Sequence, residues 1–130
     1  MKAELMYLVW VTTLTALIWV PYILDRIMVR GMLEAVGYPE NPKPQSPWAR
    51  RMMSAHENAV ENLVVFAALV LVAQDAGVSN SATVLACSVY FWARVVHLLA
   101  YTFAIPWVRT FAFAVGFGGQ ITLAWQLLAR

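Results

Sequence analysis

Hydropathy along the chain alternates four long apolar stretches with three polar connections. Residues 5–24, 52–73, 82–105 and 107–128 each approach the roughly 20 residues that a helix needs to cross about 30 Å of hydrocarbon. The expected fold is all-α: one domain over residues 1–130, an integral membrane four-helix bundle with helices at about 5–24, 48–74, 81–105 and 107–129. Pro21 should kink the first helix rather than end it, because the apolar pattern resumes with Tyr22, Ile23 and Leu24. Beyond it, Asp25 and Arg26 read either as an interfacial ion pair or as part of a site, and Arg30 with Glu34 at i, i+4 suggests a further turn or two of helix.

The connections carry their own signals. Residues 37–47, GYPENPKPQSP, hold four of the six prolines and predict an extended connector, with Ser46 as N-cap and Pro47 at the first helical position. Residues 74–81, QDAGVSNS, form a short turn with a cap at Asn80 or Ser81, so the second and third helices make an antiparallel hairpin. Pro106 opens a tight turn into the fourth helix, whose GFGG at 116–119 suits close packing in lipid. Trp107 and Trp125 fit interfacial belts.

Polar residues break the apolar pattern in a few places only. Residues 49–66, ARRMMSAHENAVENLVVF, carry Arg51, His56, Glu57, Asn58, Glu61 and Asn62. Ionisable groups are expensive inside a bilayer and usually mark a site. At helical spacing Arg51, Asn58, Glu61 and Asn62 share one stripe, with Ser54 and Ala55 beside it and Glu57 about a quarter-turn away. Arg94, His97 and Tyr101 recur at i, i+3, i+7 and share a face of the third helix. That helix runs back along the hairpin, so the two clusters reach the same depth, and Arg109 and Thr110 join them from the first turn of the fourth helix.

Composition sharpens the membrane reading. The chain is 62% hydrophobic and 12% charged, beyond what a soluble domain of this size needs, and its formal charge of +2 gives no reason to expect nucleic-acid binding. Arg26, Arg30, Lys43, Arg50 and Arg51 fall in the first connection and Arg109 in the third, against Lys2 and Arg130 on the other side. The first and third loops are therefore expected on the cytoplasmic side and both termini opposite. The first segment lacks a small-residue cleavage site and reads as a retained helix rather than a removed signal. Cys87, the single cysteine, reads as a small core residue.

The collected side chains suit a zwitterionic peptide. Arginines clamp carboxylates, a glutamate holds an ammonium group, and a tyrosine orients a carbonyl or thiol. An arginine or hydroxyl beside a thiol also favours the thiolate. The competing reading has Glu61 paired with Arg94 or Arg51, and Asn58 and Asn62 bonding between helices, purely to hold the bundle. His56, Glu57, Glu61 and His97 are metal-ligand types without metal-site spacing, so no metal is expected.

AHENAVENLVVF, ARVVHLLAY and the proline shortly before Arg109 resemble the MAPEG family, membrane-associated proteins of eicosanoid and glutathione metabolism, in its bacterial branch. The resemblance covers essentially the whole chain. It implies a homotrimer in the bacterial inner membrane with glutathione as co-substrate, bound between subunits near the cytoplasmic face, and a lipophilic small molecule drawn from the membrane lipids. Carried over residue by residue, Arg51, Asn58, Glu61, Arg94, His97 and Tyr101 would hold the tripeptide, and Arg109 with Thr110 would stabilise its thiolate. Ser54 and Glu57 stand where prostaglandin-synthesising members carry arginines, and Phe113 where they carry a tyrosine. The activity implied is a glutathione-dependent transferase or peroxidase acting on lipophilic electrophiles; the alternative is a non-catalytic lipid-binding or accessory protein on the same scaffold.

Overall fold

In the computed structural model, residues 1–129 are described; Arg130, one of the basic residues used to orient the termini, lies outside the described residues. The described chain is helical apart from its connections: α1 (Ala3–Leu17), α2 (Trp19–Arg30), α3 (Met32–Val36), α4 (Pro47–Asp75), α5 (Ser81–Thr102) and α6 (Val108–Leu128). Four rods are long and apolar enough to cross a membrane: Ala3–Arg30, Pro47–Asp75, Ser81–Thr102 and Val108–Leu128.

The first rod is α1 and α2 end to end. Pro21 has no N–H to return to the carbonyl four residues back, and the helix is interrupted at Ile18 without changing to an extended conformation. It therefore continues past residue 24 to Arg30. Gly31, at φ +80°, ends it, a backbone angle that glycine adopts without steric cost. Arg30 and Glu34 consequently lie in separate helices, not on one continuous helical face as expected.

The connector to α4 is fastened by a buried carboxylate. Asp25 accepts from the Ser46 backbone N–H at 3.0 Å, from Ser46 Oγ at 2.6 Å and from Gln45 Nε2 at 3.4 Å. Gln45 also donates to the Tyr22 carbonyl at 2.7 Å and accepts from Arg26 Nε at 3.0 Å. Of the two readings of Asp25 and Arg26, the interfacial ion pair gives way to this shared grip on residues 45–46. Ser46 does occupy the N-cap position with Pro47 behind it, yet its hydroxyl serves Asp25 rather than the helix.

At the opposite end, Asn80 caps α5 through a reciprocal box with Thr83. Buried Glu4 of α1 accepts from Ser79 Oγ at 2.7 Å and Thr83 Oγ1 at 2.8 Å, tying the first rod to the α4–α5 turn. Between the two ends sits an apolar core of Val11, Phe66, Val70, Ala86, Cys87, Tyr90 and Leu123, with Phe66 and Tyr90 stacked at 3.8 Å. Cys87 is fully buried there.

Helix α5 stops at Thr102, three residues before the expected 105. The N–H of Ile105 returns to the Ala100 carbonyl and that of Ala104 to Tyr101, with Ala104 at φ +56°, which is a Schellman closure made without glycine. A γ-turn centred on Trp107, φ +68°, then bonds Val108 N–H to the Pro106 carbonyl at 2.8 Å and launches α6. This strained corner sets the first turn of α6 against the end of α5.

α5 and α6 pack most closely, through the glycines the sequence marked. A Cβ on Gly119 would stand 2.8 Å from the Ala86 carbonyl oxygen, whereas one on Gly118 meets nothing within 4 Å. Gly119→Ala is therefore expected to lower stability by about 1–3 kcal/mol and Gly118→Ala to leave it within about 0.5 kcal/mol. Thermal unfolding of the two variants in one detergent checks this; equal melting temperatures would refute the close approach.

Candidate functional site

The α4–α5 turn is short, so Asn58 on α4 and Arg94 on α5 meet side by side. Arg94 Nη2 donates to Asn58 Oδ1 at 2.8 Å and approaches His97 Nδ1, one turn on, at 3.4 Å. Asn58 is itself braced. Asn62 Nδ2 donates to its carbonyl at 2.9 Å and to its Oδ1 at 3.3 Å, and Gln120 Nε2 of α6 donates to the Asn62 carbonyl at 3.1 Å. A hydrogen-bonded chain thus crosses three helices.

Arg94 and His97 are buried, at 4% and 3% exposure. Among the described residues the guanidinium bonds an amide oxygen and an imidazole nitrogen, neither of them a carboxylate, and its Nε has no hydrogen-bond partner. A cation buried on neutral partners makes the adjoining space favourable to an anion.

That space opens in front of Asn58 and His97. A cleft of about 270 Å³ is lined by Asn58, His97, Tyr101, Arg109, Thr110 and Phe113. Tyr101 also borders a cleft of about 400 Å³ that Arg51, Arg109, Thr110 and the 104–107 corner enclose, and a third of about 290 Å³ with Arg50, Arg51 and Ser54. The Arg109 guanidinium lies over the Tyr101 ring, 4.5 Å from its centroid, and the His97 ring meets Tyr101 edge-on at 5.7 Å. Arg51 Nε donates to the Thr102 carbonyl at 2.9 Å, where the helix end carries partial negative charge. Arg51, Asn58, His97, Tyr101, Arg109 and Thr110 therefore line three clefts that share Tyr101, with Arg94 bonded to Asn58 and beside His97.

Glu61 is the exception. It is exposed and lines a separate cleft of about 380 Å³ on the α2 side of α4, with Tyr22, Met53, His56, Glu57 and Val60. Within one chain it does not pair with Arg94 or Arg51, whose bonds go to Asn58 and the Thr102 carbonyl. Tyr22 and His56 share a hydrogen bond of 2.8 Å between Oη and Nδ1 in that second cleft. Among the described residues no group of three His, Cys, Asp or Glu side chains converges as a metal centre would require. Helical pattern does not mark Tyr22 as a site residue, and it marks Gln120 only as a group able to bond between helices, as it does to the Asn62 carbonyl. Both sit where a polar atom interrupts a membrane-spanning helix, which was the available signal.

The two clefts hold different chemistry. Arginine, imidazole, amide and hydroxyl groups around Tyr101 suit carboxylates and a thiolate, while Glu57 and Glu61 offer acceptors for an ammonium group.

A family model described as the MAPEG family matches residues 7–129. Among curated proteins the chain is similar to microsomal glutathione S-transferase 1 from Bos taurus, 33% identical over 79 residues, which is 60% of this chain and 51% of that protein. The Homo sapiens protein of the same name is 32% identical and the Rattus norvegicus one 33%, over the same shares. The chain spans about half the length of the curated relatives it matches. No solved structure matches it.

Because Asn58 supplies the closest acceptor for a buried cation, Asn58→Leu should cost about 1–3 kcal/mol. Adding Arg94→Met should recover much of that loss, since the stranded charge is then gone. Melting temperatures of the two single variants and the double variant test the pair; strictly additive losses would show that the two side chains are not coupled.

Proposed function

The chain belongs to the MAPEG family and is an integral, multi-pass membrane protein, and from that premise we propose that it binds reduced glutathione and delivers its sulfur to lipophilic electrophiles from the bilayer. The observation that carries this reading is the Tyr101-centred space, where Arg109 lies against the Tyr101 ring and the buried Arg94 stands behind Asn58 and His97. Glutathione is a zwitterionic tripeptide with a thiol, and these groups match it part by part. Arg51 and Arg94 attract its carboxylates, Asn58, His97 and Tyr101 hydrogen-bond its amides and orient it, and Arg109 with Thr110 holds the sulfur as thiolate.

The thiolate attacks an electrophilic carbon, a carbon–sulfur bond forms, and the leaving group departs with the electron pair of its broken bond. With a hydroperoxide as acceptor, the sulfur takes the terminal oxygen and an alcohol leaves. A second glutathione then gives the disulfide and water. The chain's residues bind, orient and stabilise charge; the sulfur performs the substitution.

The placement of Glu61 supports a site shared between copies. It faces the cleft beyond α4, so the glutamate of one subunit meets the Arg109 of the next only in an oligomer, which we take to be a homotrimer. The arginines gathered in the first and third connections favour the cytoplasmic side for this end of the bundle.

A non-catalytic lipid-binding role is the second reading. An apolar groove of about 480 Å³ between α5 and α6, walled by Trp92, Val96, Phe111 and Val115, favours it, as do exposed Ser54 and Glu57 where prostaglandin-synthesising members carry arginines.

Under the leading reading Arg109→Ala lowers the rate of conjugation between glutathione and an activated aryl halide by about 10²–10³-fold. Its oligomeric size in detergent stays that of the parent protein. Unchanged turnover sinks the role of Arg109, and a parent protein that retains lipid but turns over nothing selects the second reading.

A further inference from the structure

The connection that leaves the first rod carries the most exposed run of large apolar side chains outside the spans. Met32, Leu33, Val36 and Tyr38 are between 58% and 102% exposed. On α3 the side chains Met32, Leu33 and Val36 fall within one arc of about 100°, and Glu34 points to the opposite side. Such a cluster facing water would be a liability.

Its depth argues for lipid instead. The first rod, Ala3–Arg30, has 28 residues and is about 42 Å long at helical rise, more than the roughly 30 Å hydrocarbon core and close to the full thickness with headgroups. Residues just beyond Arg30 therefore emerge at headgroup level. There Gly31 turns the chain off the rod axis. The segment is held in place, since Arg30 Nε donates to the Lys43 carbonyl at 2.8 Å and Gln45 and Ser46 are fastened to Asp25. Charge agrees. Along the sequence Arg26, Arg30, Lys43 and Arg50 flank the segment against Asp25, Glu34 and Glu40, a cationic balance that suits anionic headgroups.

We propose that residues 31–38 are an in-plane membrane anchor, with Met32, Leu33, Val36 and Tyr38 embedded at the headgroup–acyl boundary. The occupant of this face is the lipid of the protein's own bilayer. The short helix adds to the spans an apolar foot that fixes how deep the α2–α4 end sits.

The test places a nitroxide at Leu33→Cys and, separately, at Glu34→Cys in the full chain. The protein is reconstituted in vesicles of phosphatidylcholine and phosphatidylglycerol. Cys87 is replaced by alanine, and a second background retains it, because its side chain is fully buried and unreactive to label if the fold is intact. Collisional accessibility to oxygen and to a water-soluble nickel chelate is then compared. The expected result is an oxygen-to-chelate ratio above unity at Leu33 and below unity at Glu34. A chelate-dominated signal at both positions overturns the proposal by placing the segment in water. A Leu33 label shielded from both reagents overturns it in favour of a contact with a second copy of the chain.

Discussion

A guanidinium inside a bundle of membrane-spanning helices must be satisfied by the protein, because the hydrocarbon offers nothing. Arg94 imposes that constraint here, and much of the bundle's polar order follows from it. Asn58 has to stand opposite it, which fixes the register of α4 against α5. Asn62 has to hold Asn58, and Gln120 reaches from α6 to Asn62, which adds the fourth span to the same network. The solution is incomplete in one respect: the cation is bonded to neutral groups and its Nε is left over. A protein that needed Arg94 only to bind its helices together would do better with a carboxylate partner or an apolar residue of similar size. An uncompensated positive charge next to a cleft is instead what anion binding requires.

The ends of the bundle are closed by carboxylates used in the reverse sense. Glu4 and Asp25 are both buried, and both accept hydrogen bonds from hydroxyl, amide or backbone donors. Each fastens the first rod to a turn: Glu4 to the start of α5, Asp25 to the start of α4. Between the pinned ends the apolar core around the Phe66–Tyr90 stack and the glycine contacts of α6 fill the middle. The cationic groups are thereby left free to gather at one end, around Tyr101.

Four spans, the hairpin of α4 and α5, the Asn80 cap and the glycine packing were legible because each rests on local pattern: hydropathy length, a short turn, a side-chain cap and small residues at helical spacing. The roles of Asp25, Glu4 and Gln45 were not, since their partners lie 19 to 79 residues away and no periodicity connects them. The early end of α5 was missed for a different reason. Ala104 adopts a backbone angle normally left to glycine, so the sequence carries no stop signal before Pro106. In the candidate site, helical spacing placed Asn58, Arg94, His97 and Tyr101 together correctly. It also put Glu61 in the same stripe, because a stripe wide enough to include Asn58 and Glu61 spans the boundary between two neighbouring clefts. Angular spacing along one helix cannot say where the next helix divides the surface.

The central claim is that this end of the bundle is built to hold a thiol tripeptide against buried and stacked arginines. The most direct measurement is thermal unfolding of the detergent-purified protein titrated with reduced glutathione, beside an otherwise identical peptide lacking the thiol. A ligand at 100 times its dissociation constant stabilises a fold that it alone recognises by about 2.7 kcal/mol. A saturable rise in melting temperature with glutathione, smaller with the thiol-free peptide, is the result this account predicts. No shift with either peptide at millimolar concentration would contradict it, and would leave Arg94 and its partners as a polar brace in a lipid-binding bundle.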